Sequence, residues 1–107
     1  MKLLTKKILS AFKKQGDTTQ KSCKNTKIIT KFFNPCGAET WYAIEYDPKT
    51  KMFYGFVRIF NRCNEFGDFS LKKLKSIKLP CGLKIERDKF FEIGKYTLKE
   101  IMDGKRL

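Results

Sequence analysis

The chain contains no histidine. That removes the imidazole base, the imidazole metal ligand and the one side chain that ordinarily titrates near neutral pH. Its four cysteines, Cys23, Cys36, Cys63 and Cys81, form no CxxC pair. A structural zinc site usually draws on close-spaced ligand pairs, so free, partly buried thiols in a reducing cytosol are expected instead. There is no glycine-rich phosphate loop, and no cysteine stands obviously beside an activating cation or helix N-terminus. Long apolar runs are missing as well. Nothing approaches the uncharged stretch that a membrane helix needs. Lys6 and Lys7 interrupt the opening Leu3-Leu4 before it can read as a secretion signal. These absences predict a cytoplasmic, non-enzymatic protein with no cofactor, no metal and no membrane partner.

Acidic residues are scarce, 11 against 24 Lys and Arg, and the formal net charge is +13. The distribution says more than the total. Residues 1–38 carry +8, residues 39–68 carry −1, residues 69–84 carry +5 and residues 85–107 carry +1. The excess therefore sits in two blocks, the N-terminal third and the segment around Lys72, Lys73, Lys75 and Lys78. Clustered cations suit a polyanion, because they release counterions from a phosphate backbone. Only four of the 24 basic residues are Arg, however, and there are three Ala against ten Phe and nine Ile. An AT-rich coding sequence yields that bias by itself. Arg, with its planar fork, is the better reader of phosphates and bases, so a lysine excess argues for unspecific attraction or for solubility.

Among the acids, Glu45 with Asp47 and Glu86 with Asp88 stand two apart, and on a strand such residues share a face. They could hold a cation or a basic partner; a solvated strand end is the plainer account.

A length of 107 residues suits one domain over 1–107, large enough for a core without staples. Leu4 to Lys14 has apolar residues at helical spacing, and Gln15-Gly16-Asp17 ends that helix. Residues 15–25 read as a polar loop. Thr26 to Phe33 reads as a strand, with Lys27 and Lys31 on one side and Ile28 and Phe32 on the other, before the turn Asn34-Pro35-Cys36-Gly37. Phe66 to Phe69 suggests a short strand. Ser70 caps a helix to about Ile77, which Pro80 and Gly82 stop. Leu83 to Glu86 suggests another short strand, Lys89-Phe90-Phe91 is ambiguous, and Thr97 with Glu100 forms a capping box for a last helix ended by Gly104. The order predicts an α+β fold: a small, mainly antiparallel sheet of three to five strands, an N-terminal helix and two short later helices.

The most informative stretch is Glu39 to Arg58. Thr40–Tyr46 and Met52–Phe60 are rich in aromatic and β-branched residues, and Asp47-Pro48 presets the turn between them. With Tyr46 opposite Met52, one face carries Trp41, Ala43 and Glu45 with Phe53, Gly55, Val57 and Ile59. The other carries Tyr42, Ile44 and Tyr46 with Met52, Tyr54, Phe56, Arg58 and Phe60. Trp41 is expected as a core anchor. A hairpin apolar on both faces must be covered twice or leave one face for a partner. If the Tyr42, Tyr54, Phe56 and Arg58 face is open, bases could stack there.

Thr40-Trp41-Tyr42, Glu45 and Asp47, Phe53-Tyr54-Gly55, Glu65-x-Gly67-x-Phe69-Ser70-Leu71 with Leu74, and Gly82-Leu83-x-x-Glu86-Arg87-Asp88 occur together and in order. In this the chain resembles an uncharacterised family, a domain of unknown function found in bacteria and on plasmids, integrative elements and phages. The likeness covers nearly the whole chain and implies a compact stand-alone domain tied to mobile DNA. Such domains tend to be acidic, with a longer acidic insert after the Asp-Pro turn. Here only Lys49-Thr50-Lys51 stands there, so the basic charge is not a family trait.

Two functions follow as expectations. The first is an accessory protein of a mobile element that binds nucleic acid, with Lys27, Lys31, Lys72, Lys73 and Lys75 on phosphates and Tyr42, Tyr54, Phe56 and Arg58 on bases. The second is an inhibitor or adaptor that binds a protein, such as a host antiviral or restriction nuclease.

Overall fold

A computed structural model describes residues 2–58 and 64–104. Helix α1 (Lys6–Gln15) leads into strands β1 (Thr30–Phe33), β2 (Thr40–Asp47), β3 (Met52–Arg58) and β4 (Glu65–Ser70). Helix α2 (Leu71–Ser76), a 3-10 turn at Pro80–Gly82, strand β5 (Glu86–Arg87) and helix α3 (Leu98–Met102) follow. The strands form one sheet in the order β4-β3-β2-β1-β5, with every neighbouring pair antiparallel. This is the expected α+β fold.

Local chemistry sets most of the element ends. Thr5 caps α1 by accepting from the Ile8 N–H at 3.2 Å. Ser70 caps α2 by accepting from the Lys73 N–H at 2.9 Å. Thr97 and Glu100 close a reciprocal capping box on α3. Each such cap satisfies N–H groups that a helix start leaves without intrahelical partners. At the hairpin, the Asp47 carboxylate accepts from the Lys49 N–H at 2.8 Å, and the Lys51 N–H donates to the Asp47 carbonyl at 2.7 Å. That first bond is the chief reason the Asp47 carboxyl is held below its ordinary pKa.

The hairpin register departs from simple alternation at one place. Tyr42 faces Phe56 and Ala43 faces Gly55, as expected, but Glu45 then faces Tyr54 and Tyr46 faces Phe53. Ile44 is thus an extra residue, a β-bulge. It exchanges the faces of everything between itself and the turn. Tyr46, expected beside Tyr42, instead packs against Phe53 and Phe12, with ring centroids 4.7 and 5.9 Å away. Glu45, expected beside Trp41, lies on the side of Tyr54. The bulge is bracketed by Gln15 at the end of α1. Its amide donates to the carbonyls of Ile44 at 2.6 Å and Lys27 at 3.0 Å, and its oxygen accepts from the Lys27 N–H at 3.1 Å. Gly55 is required opposite: a Cβ there would stand 1.9 Å from the Tyr42 carbonyl oxygen.

Helices pack on both faces of the sheet, and on the second they cover it only in part. On the first, Ile8 and Phe12 of α1 and Leu71 and Leu74 of α2 join Phe32, Ala43, Phe53 and Phe69. Trp41 packs half-buried against this core, as expected of it. On the second, Leu98 and Ile101 of α3 and Ile28 join Tyr42, Ile44 and Phe56. Strand β1 is shorter than the sequence suggests. The Ile28 N–H bonds the Tyr96 carbonyl and the Ile29 N–H the Ala43 carbonyl; Ile28 feeds the second core but Phe32 the first, which breaks the expected alternation that put them on one side. The strand expected at Leu83–Glu86 is shorter and later, at Glu86–Arg87.

Of the expected thiols, Cys23 is half-buried and Cys36 exposed, and both are free. Cys63, the Cys81 side chain and the expected end of the third strand at Ile59 and Phe60 lie outside the described residues. Among the described residues no helix is long and apolar enough to cross a membrane.

Candidate nucleic-acid interface

The residues expected to stack bases are mostly spent on the fold. Tyr42 is 2% exposed and Phe56 is 7% exposed, both beneath α3. Arg58 lies over the Tyr42 ring, 5.7 Å from its centroid, and donates to the Ile101 carbonyl at 2.7 Å. The expectation of an open aromatic sheet face is therefore corrected. The sequence pattern cannot distinguish a face left free from one closed by a helix that arrives forty residues later. Tyr54 alone of that set stays exposed, at 37%, near Phe66 at 41%. Both stand over the outer part of the sheet, beyond the cover of α3.

The expected lysines divide in the same way. Lys31 is buried and its Nζ lies 3.5 Å from the Asp88 carboxylate, so it serves an internal ion pair and not a surface site. Lys27 is exposed, but its backbone is held by Gln15 and by a bridge to Thr97. Lys72, Lys73 and Lys75 are exposed along α2.

The two basic blocks contribute their helices to one face of the sheet. Helices α1 and α2 pack on the same face of the sheet, one near β2 and the other beside β4. They turn Lys6, Lys7, Lys13, Lys14, Lys72, Lys73 and Lys75 to water, and neither contains an acid. Ion pairs among the described residues form at Lys31–Asp88, Lys95–Glu92 and Lys99–Asp103; none involves a lysine of α1 or α2. The helical layer is thus a set of uncompensated cations.

One part of this layer is concave. A shallow cavity of about 460 Å³ is lined by Lys51, Leu71, Lys72, Lys75 and Ser76. Lys51 arrives from the hairpin turn, in a left-handed conformation with φ of 58°, and its carbonyl accepts from the Leu71 N–H at 3.0 Å. That bond fixes the turn against the start of α2 and puts a third ammonium beside two lysines one helical turn apart. Lys51 is not a candidate by sequence, because no sequence pattern links residue 51 to residue 71.

Three of the four paired carboxylates are engaged by the backbone and its neighbours. Glu45 accepts from the N–H and hydroxyl of Thr18, Asp47 closes the hairpin turn, and Asp88 holds Lys31. Among the described residues no group of three or more Cys, Asp or Glu is placed to bind a metal.

A last feature has no sequence signature. Phe90, part of the ambiguous Lys89-Phe90-Phe91, is 93% exposed.

Comparison with curated proteins and with solved structures yields no match. The model of a family described as proteins of unknown function, DUF2958, matches residues 3–103, and the chain belongs to that family.

Proposed function

We propose that this protein is a non-enzymatic accessory protein of a mobile genetic element, acting in the cytoplasm, and that it binds nucleic acid along the layer formed by α1 and α2. The observation that carries this reading is the convergence of two basic blocks, distant in sequence, on one acid-free layer. A polyanionic backbone gains most from such a layer, since each phosphate neutralised releases condensed counterions. The cavity among Lys51, Lys72 and Lys75 gives one phosphate group three cations.

The test is an anisotropy titration of a labelled oligonucleotide at rising salt. Binding that weakens log-linearly with salt supports the proposal. Lys72→Glu with Lys75→Glu should flatten that slope by about one for each phosphate deprived of its lysine. No binding at low salt ends it.

A second reading, an inhibitor or adaptor of a host nuclease, draws on Tyr54 and Phe66. They stand exposed beside Glu45 and Asp68, around a cavity of about 530 Å³ near the edge strand β4. Aromatic residues of this kind anchor protein interfaces. A partner that remains bound after nuclease digestion, and dissociates on Tyr54→Glu and Phe66→Glu, would favour it.

A further inference from the structure

We propose that Phe90 is a platform for one unpaired base, so that the nucleic acid taken by this protein is single-stranded. The inference rests on nucleic-acid binding by the helical layer and narrows it to a substrate class.

A phenyl ring left 93% in water contributes nothing to the core. Local bonding nevertheless holds it out firmly. The Asp88 carboxylate accepts from the Phe90 N–H at 2.9 Å, and the Asp88 carbonyl accepts from the Phe91 N–H at 3.3 Å. Asp88 is itself anchored, since its N–H donates to the Lys31 carbonyl at 3.0 Å and its carboxylate meets the Lys31 ammonium at 3.5 Å. The next residue, Phe91, turns inward against the second core and lies 5.6 Å from the Tyr96 ring. Of two adjacent aromatics, one is packed and the other is presented by a braced turn.

The surroundings point to a base. Phe90 borders a cavity of about 480 Å³ that also takes in Thr5, Lys7 and Ile8 at the start of α1. It therefore adjoins the lysine layer, with Lys7 and Lys89 bordering the same cavity. The two acids there are committed elsewhere, Asp88 to Lys31 and the turn, and Glu92 to Lys95 at 3.5 Å. An apolar ring set among cations matches a nucleotide, whose base stacks while its phosphates pair. A single ring suffices for one base, whereas one such side chain is a marginal membrane anchor. In a duplex the base faces are already stacked on one another, so a paired base cannot lie on Phe90. Single strands can.

The experiment uses the full chain with labelled oligo(dT) and with the matching duplex, at the same salt. Wild type should bind the single strand more tightly. Phe90→Ala should weaken oligo(dT) binding by about tenfold or more, leave duplex binding and the salt slope unchanged, and be restored by Phe90→Tyr. Being fully exposed, the position tolerates these changes without loss of fold, which a thermal melt checks. If Phe90→Ala leaves oligo(dT) affinity intact while Lys72→Glu and Lys75→Glu still weaken it, the stacking role falls and nucleic-acid binding stands. Equal losses on single strand and duplex also overturn it, as does loss of binding to phosphatidylserine vesicles with oligo(dT) affinity unchanged, which would assign the ring to a membrane. If wild type binds neither oligonucleotide, both proposals fall together.

Discussion

On one side of the sheet, α1 and α2 press Ile8, Phe12, Leu71 and Leu74 onto Phe32, Phe53 and Phe69, and turn lysines and neutral residues to water. On the other, α3 presses Leu98 and Ile101 onto Tyr42, Ile44 and Phe56, and its Lys99 is paired with Asp103 at 2.6 Å. The interiors are built by the same burial of apolar surface. The exteriors differ, and folding does not explain why. The second layer shows that this sheet can be covered by a helix of mixed charge. Net charge bears on solubility and association and not on the fold, so the unpaired lysines of the first layer are the surface on which the proposed binding is to be tested.

The strongest way to break the comparison is to destroy the sheet that both layers share. Gly55 lies between them, and any Cβ would meet the Tyr42 backbone oxygen at 1.9 Å, an atom that cannot step aside. Gly55→Val should cost at least about 4 kcal/mol and remove both cores together. Urea denaturation that finds a cooperative fold of wild-type stability would refute the close approach.

The next test separates the layers. Phe53 is fully buried and ringed by Phe12, Phe32, Tyr46 and Phe69 at 4.7–6.0 Å, while Ile101 is fully buried in the smaller second cluster. Phe53→Ala should cost about 4 kcal/mol and Ile101→Ala about 3 kcal/mol. The reverse order in denaturation midpoints would place the stability on the α3 side.

What the sequence reveals of these layers follows the range of the forces involved. The Asp47 turn, the caps at Ser70 and Thr97 and the helix ending at Gln15 are made by residues within a few positions of one another, and they are legible. So is Trp41 as packing. The bulge at Ile44 is not. A one-residue insertion leaves a strand's composition unchanged, and its stabilising partner, Gln15, lies 29 positions away. The candidate site suffers most from this. Tyr42, Phe56 and Lys31 look like surface chemistry by type and spacing, but distant elements bury them. Lys51 is placed by the Leu71 N–H, twenty positions away, which leaves no local pattern; Phe90 is held by its neighbour Asp88, but that bond does not tell which of two adjacent rings is presented. Only the lysines of α2 could be read directly, because a helix with Leu71 and Leu74 inward must put Lys72, Lys73 and Lys75 outward.

Gln15 offers a smaller and more local break. It joins the end of the first layer's helix to the bulge and to Lys27, whose backbone leads into the second core. Gln15→Ala would leave the Ile44 and Lys27 carbonyls and the Lys27 N–H to find water. Stability should fall by about 2 kcal/mol, with faster amide exchange at Lys27 measured by hydrogen–deuterium exchange. Unchanged exchange there would mean that the bulge holds itself.

The smallest expected effect is in pH, and it sharpens the contrast because the flanks respond at opposite ends of the scale. Asp17, just past α1, is held below its ordinary pKa chiefly by the Thr19 N–H, and Asp47 chiefly by the Lys49 N–H. A carboxyl depressed in the folded state stabilises it above the ordinary value, about 3.9, and that contribution fades as pH falls through the depressed value. On the other side, Lys95 is raised chiefly by the charge of Glu92, and Lys99 chiefly by its hydrogen bond to Asp103. An ammonium raised in the folded state stabilises it fully below about 10.4, and that contribution fades as pH rises through the raised value. Acid should therefore loosen the turns at Asp17 and Asp47, and alkali should loosen the contacts of Lys95 and Lys99. Amide shifts of Thr19 and Lys49, followed by NMR down through the carboxylate range, should move as each carboxylate takes up its proton. In Asp47→Asn the side-chain oxygen still accepts from the Lys49 N–H but no longer titrates, so the acid response at Lys49 should vanish while that at Thr19 persists. If the Lys49 amide still moves with pH in that variant, the Asp47 carboxylate is not its cause.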